Sequence, residues 1–134
     1  MRYMLLVYST EGPDGLTPEE DERIRAGHRK VMDWAARKGA LIDCAPLSPT
    51  STATTVRMQS GKPLVLDGPF TETKEHLAGY YIIDCANLDE AIEWATQIPT
   101  ECSGNPGCIE IRPLRFQHTG ARPGAGVEDA ALNG

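Results

Sequence analysis

The sequence predicts an α+β fold of ferredoxin-like type, a split βαβ sandwich with an inserted β-hairpin, and three observations lead there. A chain of 134 residues has the size of one domain and can bury a core without covalent staples. Two segments carry helix-start signals followed by a one-sided apolar stripe. Around them, apolar β-branched or alternating runs give the order strand, helix, strand twice, with a turn-linked strand pair in between.

Met1-Arg2-Tyr3-Met4-Leu5-Leu6-Val7-Tyr8 reads as the first strand, because its apolar run stops at Ser9 and no small-residue cleavage site follows. Glu11-Gly12-Pro13-Asp14-Gly15 is a turn cluster. In Thr17-Pro18-Glu19-Glu20, Thr17 can cap a helix, Pro18 suits its first position and Glu20 completes a capping box. The helix is expected to run to about Lys38, with Gly39 as a left-handed stop. Its stripe is Ile24, Val31 and Ala35, flanked by Met32 and Trp34. His28 falls inside that stripe, away from Arg25, Arg29 and Lys30, an unusual place for a solvating residue.

Ala40–Ala45 reads as a strand, closed by Pro46 and the Ser48-Pro49-Thr50-Ser51 turn. Residues 53–66 form the inserted hairpin, turning at Ser60-Gly61-Lys62 into Pro63-Leu64-Val65-Leu66. After the polar stretch Asp67–His76 a strand covers 78–85. Asn87 then caps a second helix whose stripe is Leu88, Ala91, Ile92, Ala95 and Ile98, ended by Pro99. From Cys108 the chain alternates, with Ile109 and Ile111 on one face and Glu110 and Arg112 on the other. Beyond residue 116 periodicity is lost, so residues 1–116 are expected to be the domain and 117–134 a flexible tail.

Each helix has one stripe to bury, so both cover the same face of an antiparallel sheet and leave the other open. An open face bearing Tyr and Ile beside Glu110 and Arg112 predicts a second copy against it. The expected assembly is a homodimer whose sheets pack face to face around a cleft.

Composition narrows the function. A net charge of −6 argues against nucleic acid as partner, since phosphate binding needs a positive surface. No apolar run approaches the about 18 residues of a membrane span. Cys44, Cys85, Cys102 and Cys108 form no Cys-x-x-Cys pair, and free thiols in the cytoplasm are expected. Only Cys102 and Cys108 are spaced to meet, and their plainer reading is loop and strand residues. The cysteines with His28, His76 and His118 show no metal-ligand spacing, no phosphate loop is present, and no cofactor is expected.

Two sets of residues carry the candidate chemistry. His28 is suited to acid/base work near neutral pH, and Asp67 is the carboxylate that could orient it if the loop folds back over the first helix. Otherwise His28 is a satisfied core residue and Asp67 caps a turn before Gly68. Gly68 and Pro69 set the loop's exit angle, and Phe70 is expected to anchor it by packing. Glu72 and Lys74 can hold a polar substrate by paired charges, or be solvated. Glu110 and Arg112 are the stronger choice for ligand contact, Arg112 for an anionic group, because a dimer would enclose them. An ion pair is their alternative role.

Asp67-Gly68-Pro69-Phe70, then Thr71-x-Thr73-Lys74-Glu75 and the elements through Trp94, resemble the DGPF branch of the YCII-related proteins. The first strand, the helix with His28 before Gly39-Ala40-Leu41-Ile42, the Thr-rich strand at 53–58 and Ile109-Glu110-Ile111-Arg112-Pro113 are similar to the same family in the same order. The resemblance implies a dimeric α+β barrel. A related branch includes a dehydrochlorinase acting on a chlorinated hydroxyquinol, and many DGPF members are similar to proteins encoded beside extracytoplasmic-function sigma factors. In the wider group a His on the first helix pairs with the Asp of an Asp-Pro step after the second helix. His28 matches the first, whereas Ile98-Pro99 stands at the second.

Two functional classes follow. One is a small cytoplasmic enzyme of lyase, isomerase or dehydrohalogenase type that acts on a small polar or aromatic compound through His28. The other is a non-catalytic dimeric module that binds a small molecule or a protein in sigma-factor-linked signalling.

Overall fold

The structure is a computed structural model that describes residues 1–10, 17–100, 107–118 and 120. The expected turn at 11–15, Cys102 with its pairing to Cys108, and most of the expected tail lie outside the described residues. The elements are β1 (Arg2–Thr10), α1 (Pro18–Arg37), β2 (Leu41–Pro46), a 3₁₀ turn (Thr50–Thr52), β3 (Thr54–Gln59), β4 (Lys62–Asp67), β5 (Glu75–Asp84), α2 (Leu88–Thr96) and β6 (Cys108–Pro113).

Helix α1 starts where its cap dictates. The Glu20 N–H donates to Thr17 Oγ1 at 3.2 Å and the Thr17 N–H to Glu20 Oε2 at 3.1 Å, so both halves of the capping box form. Gly39, at φ +69°, stops the helix in the left-handed conformation, and the Ala40 N–H returns to the Ala35 carbonyl at 2.9 Å.

Four strands form one antiparallel sheet in the order β2-β5-β1-β6, compatible with the ferredoxin-like plan. It does not close on itself, and β2 and β6 are its edges. Alternation sends Tyr3, Leu5 and Val7 of β1 and Tyr81 and Ile83 of β5 to the helix side. There they meet Val31 and Ala35 of α1 and Ala91 and Trp94 of α2, with Leu5 0% and Ile83 1% exposed. The strands β2 and β5 approach closely at Gly79, where a Cβ would lie 2.7 Å from the Ala45 carbonyl oxygen.

Two expectations are corrected. Strand β5 begins at Glu75 rather than Ala78, because Ser9 and Thr10 extend β1 and pair with His76 and Glu75. Helix α2 buries Ala91, Trp94 and then Ile98, whereas Leu88 and Ile92 are 51% and 44% exposed. The Trp94 ring centroid lies 4.0 Å from that of the partly buried Trp34, and burying the Trp94 indole outweighs burying Leu88 and Ile92. The 53–66 hairpin forms as expected and makes a separate sheet of two strands, β3 and β4. Ser60 and Gly61, at φ 52° and 78°, make the two-residue turn that suits strand twist.

Candidate functional site

His28 and Tyr81 come from elements that sequence order separates widely, and sheet register brings them together. Tyr81 lies opposite Leu5 on the helix side of β5, so its phenol points out of the sheet toward α1. His28, in the α1 stripe one turn before Val31, points back at the sheet. His28 Nδ1 and the Tyr81 hydroxyl are 2.6 Å apart, with the rings nearly parallel at 15° and their centroids 6.0 Å apart.

Burial lowers the His28 pKa from its ordinary 6.5, which keeps the imidazole neutral at pH 7. Burial, with a smaller contribution from Cys44, pushes Tyr81 up to about 12, so the phenol keeps its proton. When the phenol donates to Nδ1, the ring hydrogen sits on Nε2. A hydroxyl also accepts, and it can hold the opposite tautomer equally well. A carboxylate in its place would fix the Nδ1–H form and stabilise an imidazolium. The site thus offers a neutral, oriented His able to give or take a proton, without the charge that would raise its basicity.

Alongside are Met32, one helical turn after His28, and Cys44 of β2, whose Sγ lies 3.3 Å from Met32 Sδ. Burial, then the negative charge of Asp43, raises the Cys44 pKa, so its thiol is held protonated. The Ile98-Pro99 step does reach α1 beside His28: a Cβ on Gly27 would lie 3.0 Å from Pro99 Cγ. The side chain delivered there is the buried Ile98, and it lines an open groove of about 410 Å³ with Gly27, Val31, Trp34 and Pro99.

Asp67 ends β4 and is exposed, and among the described residues no hydrogen bond or ion pair joins it to His28. The corner after it is built from backbone. Gly68, at φ +95°, donates its N–H to the Ala53 carbonyl at 2.7 Å, and Thr55 Oγ1 donates to the Gly68 carbonyl at 2.7 Å. Phe70 is 72% exposed rather than packed, a further correction. Glu72 and Lys74 are exposed without ion pairs among the described residues, and Thr73 Oγ1 donates to the Glu75 carbonyl at 2.5 Å.

Glu110 and Arg112 lie on the opposite side of the sheet from His28. Register puts Glu110 beside Leu6 and Arg112 beside Met4, both on the open face. A single chain therefore does not present Arg112 and His28 to one ligand. What residue patterns missed is Tyr81. Its signal was present: a hydroxyl in core phase on β5 and an imidazole in core phase on α1 each need a partner. Among the described residues no group of three or more His, Cys, Asp or Glu side chains is arranged to hold a metal ion, and no helix is long and apolar enough to cross a membrane.

The YCII-related domain profile matches residues 1–116. An uncharacterised protein of Rhizobium meliloti (strain 1021) is 40% identical over 124 residues, covering 92% of this chain and 99% of that protein. The strand and helix order, His28 on the first helix and these matches agree, and the chain belongs to the YCII-related domain family.

Proposed function

We propose that the protein is a homodimeric cytoplasmic enzyme of the DGPF branch that moves a proton on a small polar or aromatic compound, in a lyase, isomerase or dehydrohalogenase reaction. The observation that carries this reading is the 2.6 Å contact between His28 Nδ1 and the Tyr81 hydroxyl, with the imidazole kept neutral by burial. In the base form, Nε2 takes a substrate proton while Nδ1–H donates to the phenol oxygen. In the acid form, Nε2–H donates and Nδ1 accepts from the phenol. Tyr81 orients the ring in both.

Such a base is weak, so the substrate must carry an acidified C–H or a good leaving group. Asp67, Glu72 and Lys74, exposed on the hairpin and its loop, would meet that substrate at a rim contributed on closure or by the second copy. Glu110 and Arg112 would line the cavity between two open sheet faces, giving the dimeric α/β barrel. The test is turnover of a panel of small aromatic and hydroxylated acids, halogenated members included, by wild type, His28→Gln and Tyr81→Phe. Loss of kcat by roughly a hundredfold in His28→Gln is expected. Unchanged turnover in that variant ends the acid/base reading.

The hairpin favours a second reading, a non-catalytic module binding a small molecule or a protein partner in sigma-factor-linked signalling. Val56, Met58 and Val65 are 62%, 68% and 62% exposed, an apolar surface suited to a partner. Survival of ligand binding in His28→Gln, with no turnover by any variant, would select it.

A further inference from the structure

Four side chains stand in a square on the helix side of the sheet, at its β2 edge. Cys44 of β2 and Tyr81 of β5 are direct cross-strand neighbours, and both face α1. Above them His28 and Met32, four residues apart, share one face of the helix. His28 Nδ1 is 2.6 Å from the Tyr81 hydroxyl, and Cys44 Sγ is 3.3 Å from Met32 Sδ. These two contacts, made between neighbouring pairs, hold the imidazole beside the two sulfurs.

Proton transfer by His28 and Tyr81 makes no use of the sulfurs. A thiolate, a thioether and an imidazole make a soft donor set, which suits Cu(I), whereas Mg²⁺ and Ca²⁺ require oxygen ligands. A thioether also lies outside the His, Cys and carboxylate spacings by which metal sites are read from sequence. Access is open. His28, Met32 and Cys44 are each only partly buried, and β2 is an edge strand, so an ion reaches them without opening the core. The net charge of −6 favours a cation.

We infer that His28 Nε2, Met32 Sδ and Cys44 Sγ form a three-coordinate site for a soft monovalent metal ion of the Cu(I) class, with Tyr81 orienting the imidazole. The Nδ1–H form of the ring donates to the phenol oxygen and leaves Nε2 for the ion. Cys44 gives its proton to solvent on binding, and the ion takes that proton's place on the thiolate. No electron moves. Two sulfurs each about 2.3 Å from one ion stand about 4 Å apart, so the pair must open by roughly half an ångström. Met32, unbranched and with three rotatable side-chain bonds, yields that much. The site does not depend on the proton-transfer proposal, although both use one imidazole: with an ion on Nε2, His28 takes no proton.

The test is anaerobic titration of the full chain with Cu(I) against a chromophoric Cu(I) chelator. Cys102→Ser and Cys108→Ser are present throughout, because Cys108 is exposed and Cys102 is a second thiol in the same stretch of sequence. The parent chain should hold one Cu(I), with two sulfurs and one nitrogen around it by X-ray absorption. Cys44→Ser should weaken binding by more than about a hundredfold, Met32→Leu and His28→Gln by at least about tenfold, and Tyr81→Phe by about tenfold. Met32→Leu nearly conserves volume, so a loss there with unchanged thermal unfolding reports the sulfur and not the fold. Parent affinity in any one of Cys44→Ser, Met32→Leu and His28→Gln overturns the site, and copper retained equally by all three is adventitious. A parent chain that keeps no Cu(I) against the chelator overturns it as well.

Discussion

The four-stranded sheet and the β3–β4 hairpin are written in the same local language and have different fates. Both have β-branched residues and antiparallel pairing. Leu5, in the sheet, is 0% exposed under two helices, whereas Val65, in the hairpin, is 62% exposed. The difference teaches that strand pairing is the smaller part of the stability. An isolated hairpin is marginal in water, and a strand becomes rigid when its side chains are covered.

The largest test of that contrast is Leu5→Ala, which should cost about 2–5 kcal/mol in urea unfolding through lost burial and a residual cavity. Next comes Tyr81→Phe, which keeps the packing but leaves His28 Nδ1 without its donor, at about 1–3 kcal/mol. A Tyr81→Phe chain as stable as wild type would show that water reaches the ring.

His28 adds a pH signature within the same core. Its folded pKa lies below the ordinary 6.5, so between the two values the unfolded chain binds more protons. Stability is fully present above 6.5 and declines as pH falls toward the folded value. Unfolding free energies measured between about pH 7.5 and 5.5 should fall with decreasing pH in wild type and be flatter in His28→Gln. Equal slopes in the two proteins would place His28 in water. The smallest effect is expected at Val65→Ala, within about 0.5 kcal/mol. A loss there approaching that of Leu5→Ala would break the contrast and reveal a covered hairpin.

Much of the fold was legible because its signals are local. Thr17 with Glu20 announced α1, Gly39 its end, and the alternation through Ile109, Glu110, Ile111 and Arg112 announced both faces of β6. In helix α2 the stripe was read correctly at Ala91 and Ile98, but Trp94 is buried where Leu88 and Ile92 were expected, since those two satisfy a helical stripe equally well. Only the position of Trp34 on the neighbouring helix decides between them. Similarly, the loop after Asp67 drew attention as a cluster of ionisable groups, but charge density says nothing about what lies opposite.

By itself the sequence determined the element order, the helix caps, the hairpin turn and the placing of His28 on a buried stripe, because each depends on residues within a few positions of one another. The tertiary structure alone decided that His28 meets Tyr81, that Ile98 stands beside the helix where a carboxylate was sought, and that Glu110 and Arg112 lie across the sheet from the imidazole. Periodicity tells which way a side chain points, whereas its partner is set by how strands register and helices cross, and those depend on the whole core at once.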